Sequence, residues 1–66
     1  MKYKFGEKII EAGQGLGERS FFTGWRSPSG GFHRVVSKSL PVRETLEEAQ
    51  VDLDAFAQLK GLGVAR

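Results

Sequence analysis

The chain has 66 residues, with no cysteine and one histidine. Without thiols there is no disulfide to staple a small fold and no thiolate to serve as nucleophile or ligand, which fits a reducing, cytoplasmic setting. With His33 alone, a metal site would have to be built almost entirely from carboxylates, so no metal is expected; a surface or packed strand histidine is the plainer role. Long apolar stretches are missing as well. Runs such as Ile9–Ile10 and Phe21–Phe22 fall far short of a signal-peptide core or a membrane span. No local signature of a catalytic triad accompanies the serines and aspartates, and a chain this short has little room for a sheltered cleft. The expectation is one small soluble domain spanning 1–66, neither an enzyme nor a cofactor carrier, held by packing alone with a margin of a few kcal/mol.

Glycine and aromatic residues are plentiful, and charge is unevenly placed. Nine glycines, five phenylalanines, one tryptophan and one tyrosine are present, with a net charge of +2. Residues 1–43 carry eight Lys/Arg against three Asp/Glu, whereas residues 44–66 carry two against five. The first part is therefore basic and the second acidic. Strand-like segments followed by one helix make an α+β layer pattern.

In the segment 2–11, Tyr3, Phe5 and Ile9 share one parity and Lys2, Lys4 and Lys8 the other, the period-two pattern of a half-buried strand. Ala12 to Gly17 holds three glycines in six residues and reads as a loop. A phosphate-binding loop would need a helix after it, and an aromatic strand-like run follows instead. The stretch 20–26 (SFFTGWR) reads as a second strand. SPSGG, at 27–31, reads as a hairpin connection. A third strand over 31–40 contains Val35 and Val36 and ends before Pro41.

A helix is expected over 45–60. Thr45 and Glu48 have capping-box spacing, in which the hydroxyl accepts from the Glu48 amide and the carboxylate returns to the Thr45 amide. Glu47 and Glu48 suit the positive end of the helix dipole. Leu46, Ala49, Leu53, Phe56 and Ala57 form the face that covers the sheet, and Gly61 is placed to supply a left-handed C-cap. A short frayed tail, 61–66, completes the chain. Val51, Ala55 and Leu59 lie on the opposite side of the helix. Leu62 and Val64 folding back onto that stripe, plain exposure, and a partner contact are its three readings. The expected architecture is thus α+β, a three-stranded antiparallel meander packed by one C-terminal helix.

The basic residues interleaved with aromatics carry the functional reading. Arg19, Trp25, Arg26, Arg34 and Lys38 are the candidate nucleic-acid-binding set: cations to neutralise phosphates and an indole to stack on unpaired bases. The plainer alternative is a solvated sheet face whose charges keep edge strands from aggregating. Arg34 and Lys38 share parity with Phe32, Val36 and Leu40, so alternation leaves the faces open. A different functional class is also consistent with the pattern: a protein-interaction module or small homodimer using Val51, Ala55 and Leu59, or the edge of the first strand.

Over residues 20–60, the antiparallel strands, the SPSGG turn, the basic third strand and the helix opening at Thr45, Glu48 and Ala49 resemble the arm-type DNA-binding domains of tyrosine recombinases. The resemblance implies three strands packed on one helix, an exposed sheet that enters a DNA groove, and roles toward DNA for Trp25, Arg26, Arg34 and Lys38. It implies duplex DNA before RNA as partner.

Overall fold

The computed structural model describes residues 1–65. The expected first strand is a hairpin instead: β1 (Lys2–Phe5) and β2 (Lys8–Gln14), joined by Gly6 and Glu7. Gly6 has φ 62°, the positive value that a type II′ turn requires at its first central position and that glycine adopts without steric cost. The turn changes which side chains share a face. Tyr3 pairs with Ile10, both in the core, whereas Ile9 sits opposite Lys4 on the other face and is 47% exposed.

β2 continues through Gly13 to Gln14, so the glycine-rich loop is shorter than expected and begins only at Gly15. β3 (Phe21–Arg26) pairs with β2 from Ile10↔Trp25 to Gln14↔Phe21. The SPSGG connection is closed by the Ser27 amide donating to the Gly31 carbonyl at 2.8 Å, and it leads into β4 (Phe32–Arg34).

β4 stops well short of the strand expected over 31–40, and the reason lies in Leu40. Phe32 and Arg34 face away from the core, so a ladder extended to residue 40 would carry Leu40 to the same outer face. The chain leaves the sheet instead, and Leu40 is 1% exposed within the core. The edge of β3 is still occupied: the Val35 amide donates to the Thr23 carbonyl, and Arg43 exchanges two backbone hydrogen bonds with Phe21 at 2.8 and 2.7 Å.

The helix α1 (Leu46–Lys60) begins at an N-cap, Thr45, whose hydroxyl oxygen accepts from the Glu48 amide at 3.2 Å. The reciprocal half of the box differs from expectation. The Glu48 carboxylate accepts from the Thr45 hydroxyl at 3.0 Å rather than from the Thr45 amide. Ala49, Leu53, Phe56 and Ala57 are buried against the sheet; Leu46, one turn ahead of Ala49, is 47% exposed. At the far end Gly61 has φ 66°, with its amide donating to the Gln58 carbonyl and the Leu62 amide to the Ala57 carbonyl. That pair of bonds is a Schellman cap, with Leu62 supplying its apolar contact by packing on the core.

The cap turns the chain back toward β1. What the sequence suggested as a frayed tail contains β5 (Val64–Ala65), antiparallel to β1. The domain is α+β, with one helix on a five-stranded antiparallel sheet of order β4-β3-β2-β1-β5. β1 to β4 form a meander, and the helix carries the chain from one edge of the sheet to the other. The helix packs across β2 and β3. Tyr3, Ile10, Leu40, Leu53, Phe56 and Ala57 form the core, with Trp25, Val35, Ala12 and Leu62 at its border. Thr23 is buried there too, and among the described residues its hydroxyl has no hydrogen-bond partner. The described helix is not long and apolar enough to cross a membrane.

Candidate nucleic-acid interface

One layer of helix covers one face of the sheet and leaves the other open. The pairing register assigns residues to each side, because directly opposed residues in an antiparallel ladder project the same way. Tyr3, Ile10, Trp25 and His33 form one row across β1 to β4, with Tyr3 and Ile10 in the core. That row is on the helix side. Lys4 and Ile9, Glu11 and Gly24, Gly13 and Phe22, and Arg26 and Phe32 are opposed pairs of the alternate parity. With Lys2 and Arg34, they make up the open face.

The centre of the open face is aromatic, and glycines shape it. The Phe32 ring leans across β3 to rest on Gly24 and Gly13: a Cβ on either residue would come within 2.9 and 3.0 Å of its Cζ. Phe22 rests in the same way on Gly15, where an added Cβ would meet its ring. The two rings are 5.2 Å apart between centroids and within 15° of parallel. Both are half-buried. A groove of about 690 Å³ runs beside them, bounded by Leu16, Val42 and Arg34.

Arg26 and Arg34 flank these rings, and Lys2 and Lys4 lie on β1, across β2 from them. Among the described residues the strands of the open face carry Lys2, Lys4, Arg26 and Arg34 against a single carboxylate, Glu11, and Glu7 on the β1–β2 turn lines the same depression as Lys2, Glu11 and Arg26. Glu11 lies between two of the cations, 3.6 Å from Lys2 Nζ and 3.7 Å from Arg26 Nε. The Arg26 guanidinium also sits 4.8 Å from the Phe32 ring centroid, a cation–π distance. Arg34 donates from Nη2 to the Leu40 carbonyl at 3.4 Å.

Glu47, Glu48, Asp52 and Asp54 belong to the helix, and the two aspartates hold the fold together. Asp52 grips Arg43 through Nε at 2.7 Å and Nη2 at 3.1 Å. This tie joins the helix to the segment that covers the β3 edge, and the hydrogen bonds and charge of Asp52 push the Arg43 pKa up. Asp54 accepts from the Tyr3 hydroxyl at 2.8 Å. That bond, followed by burial and the charge of Asp54, raises the Tyr3 phenol above its ordinary value.

The candidate residues from the sequence are therefore divided. Arg26 and Arg34 come together on the open face. Trp25 does not join them: it lies on the helix side, between His33, stacked at 4.5 Å, and the Lys8 ammonium, 4.0 Å from its ring. Arg19 is exposed on the loop between β2 and β3, and Lys38 on a turn beyond the end of β4. Among the described residues, Arg19, Arg34 and Lys38 form no ion pair. The Val51, Ala55 and Leu59 stripe is exposed, because Leu62 packs on the core and Val64 pairs with Tyr3. The outer edge of β1 offers no strand-pairing site along Lys2 and Tyr3, which β5 occupies.

Phe22, Phe32 and Glu11 were not singled out from sequence. Their signal was the spacing Phe22, Gly24, Arg26 on one strand parity, together with Gly13 inside a strand, where a glycine marks close approach of another group. No protein-family model, curated protein or solved structure matches the chain.

Proposed function

We propose that this domain is a small nucleic-acid-binding module that uses the open face of its sheet. The observation that carries the proposal is the segregation of charge. Arg26 and Arg34 flank a pair of aromatic rings on the uncovered face, which also carries Lys2 and Lys4, while Glu47, Glu48, Asp52 and Asp54 belong to the helix. A polyanion approaching the sheet meets cations first, and Arg26 and Arg34 serve as its phosphate contacts. Arg19 and Lys38 extend the positive field from the flanking loops.

The test is a titration with labelled mixed-sequence DNA, duplex and single strand, at several salt concentrations. Replacing Arg26 and Arg34 together by alanine flattens the dependence of log affinity on log salt by about 0.9 per lost duplex contact, or about 0.7 per lost single-strand contact. Lys60→Ala, at the end of the helix, leaves it nearly unchanged. A Lys60 effect as large per charge as that of the arginines makes the attraction diffuse and removes the site.

A second reading rests on Val51 and Leu59, which are 66% and 76% exposed on one side of the helix. In this reading the stripe is a contact with a partner protein or a second copy. The protein then sediments as a dimer at micromolar concentration, and Leu59→Glu makes it monomeric. A wild-type monomer removes the homodimer form of this reading.

A further inference from the structure

We infer that the open face takes an unpaired DNA strand, with a base stacked on the Phe22–Phe32 shelf and its flanking phosphates held by Arg26 and Arg34. This rests on the nucleic-acid reading above and specifies the class of ligand. The centre of the face is the deciding feature. A sheet that reads a duplex presents protruding hydrogen-bonding side chains to base edges in a groove. Here the central positions are two near-parallel rings and the glycines beneath them. Such a surface offers a duplex little, because base faces inside a helix are already stacked. To an unpaired strand it offers the π surface on which any base can lie.

The glycines make that surface available. Gly13, Gly15 and Gly24 have no Cβ where the rings sit, so Phe22 and Phe32 pack down on the backbone as an offset-stacked pair that stays partly exposed. Arg26 is the cation over Phe32, and its side chain is 55% exposed. Swinging to a phosphate both neutralises that phosphate and uncovers the ring. Arg34 lies in the groove beside the shelf, whose volume of about 690 Å³ is within the usual range of ligand clefts, about 300–1,000 Å³. DNA is favoured over RNA because a 2′-hydroxyl is read through donors and acceptors close to the sugar. On the strands of this face the one carboxylate acceptor, Glu11, is engaged by Lys2 and Arg26.

Four fluorescent probes of equal length test the inference on the intact protein by anisotropy: an oligothymidine strand, an oligouridine RNA strand, an abasic deoxyribose-phosphate strand, and a duplex. The wild-type protein binds the thymidine strand at least about 5-fold more tightly than the abasic strand, the lower bound for one stacked base, and more tightly than the duplex. Phe22→Leu and Phe32→Leu, which keep an apolar cover over the glycines, bring thymidine-strand affinity down to the abasic level. Neither changes abasic binding or the salt slope. Equal wild-type affinity for thymidine and abasic strands overturns stacking while leaving the phosphate-binding function in place. Tighter binding to the duplex overturns the choice of an unpaired strand. Failure to bind any probe at low salt overturns both readings, and an oligouridine RNA bound more than about 5-fold tighter than its DNA counterpart overturns the DNA assignment. If a leucine variant does not fold, the wild-type comparison of probes decides alone.

Discussion

Removing one negative charge from the open face should strengthen binding by this domain, and Glu11→Gln is the substitution that does so. In the free protein the Glu11 carboxylate is 3.6 Å from Lys2 and 3.7 Å from Arg26, and its own side chain is only 20% exposed. It neutralises part of the surface that a phosphate backbone must approach. Glutamine keeps the size of the side chain and removes the charge. The cost to stability is small, because Lys2 and Arg26 are 59% and 55% exposed and ion pairs to such cations contribute about 0.2–1 kcal/mol each. Each cation released to a phosphate of a single strand steepens the salt dependence by about 0.7 in log–log slope. With Lys2 added to the contacts that Arg26 and Arg34 make in the wild type, a fourfold dilution of salt raises the affinity of the variant relative to wild type by a further factor of about 2.6. The assay is anisotropy with a labelled oligothymidine strand at four salt concentrations, with thermal melting as the check on folding. Glu47→Gln, in the first turn of the helix, changes net charge equally and is the control. If both variants shift affinity and slope alike, total charge is responsible and the open face is not the site. If folded Glu11→Gln binds more weakly than wild type, Glu11 organises Arg26 rather than masking it, and the reasoning fails.

Three further outcomes test the fold around the site. Tyr3 is the sole tyrosine, and its pKa is raised mainly by its hydrogen bond to Asp54, so its absorbance change should occur above the ordinary phenol value of about 10. The stabilisation linked to it is complete below that ordinary value and is lost as pH rises through the folded-state pKa; Asp54→Ala should return the titration toward normal, and an unchanged midpoint refutes the link. Gly24→Ala places a Cβ 2.5 Å from the His33 carbonyl oxygen and 2.9 Å from Phe32 Cζ; this crowding costs about 1–3 kcal/mol, more than the roughly 0.5–1 kcal/mol alanine gains over glycine in a strand. Denaturation should come earlier, and an equal or later midpoint shows that the ring is not seated there. Thr23→Val removes a buried hydroxyl without a partner among the described residues and should stabilise by about 1 kcal/mol, a rise in melting temperature of roughly 4–8 °C; a fall shows that the hydroxyl is satisfied.

The local elements with strong chemical punctuation were legible from the chain itself. Thr45, the acidic first turn, the spacing of Ala49, Leu53 and Phe56, and Gly61 specify a helix because cap, dipole and apolar face depend on residues within one or two turns of each other. The observed helix, Leu46–Lys60, lies within one residue of the expected start. The SPSGG connection and the strand before it are local in the same sense. Gly6 and Glu7 also form a local turn, but the surrounding alternation of Lys and apolar residues continued through them as though one strand were present.

Tertiary structure decided which face each strand presents, where β4 ends and what becomes of the last residues. A period-two pattern defines two sides without saying which is buried, and one turn residue more or less exchanges them. Trp25 and Arg26 are neighbours in sequence and lie on opposite faces because Trp25 pairs with Ile10, a core residue. β4 ends at Arg34 because the core needs Leu40, a demand made by Leu53, Phe56 and Ile10 from distant parts of the chain. Val64 and Ala65 carry almost no strand signal, and they pair because the cap at Gly61 delivers them to the free edge of β1. The aromatic shelf is likewise long-range. It exists only where Gly13 on β2, Gly24 on β3 and Phe32 on β4 meet, since a ring can rest on backbone only where neighbouring strands all leave room for it.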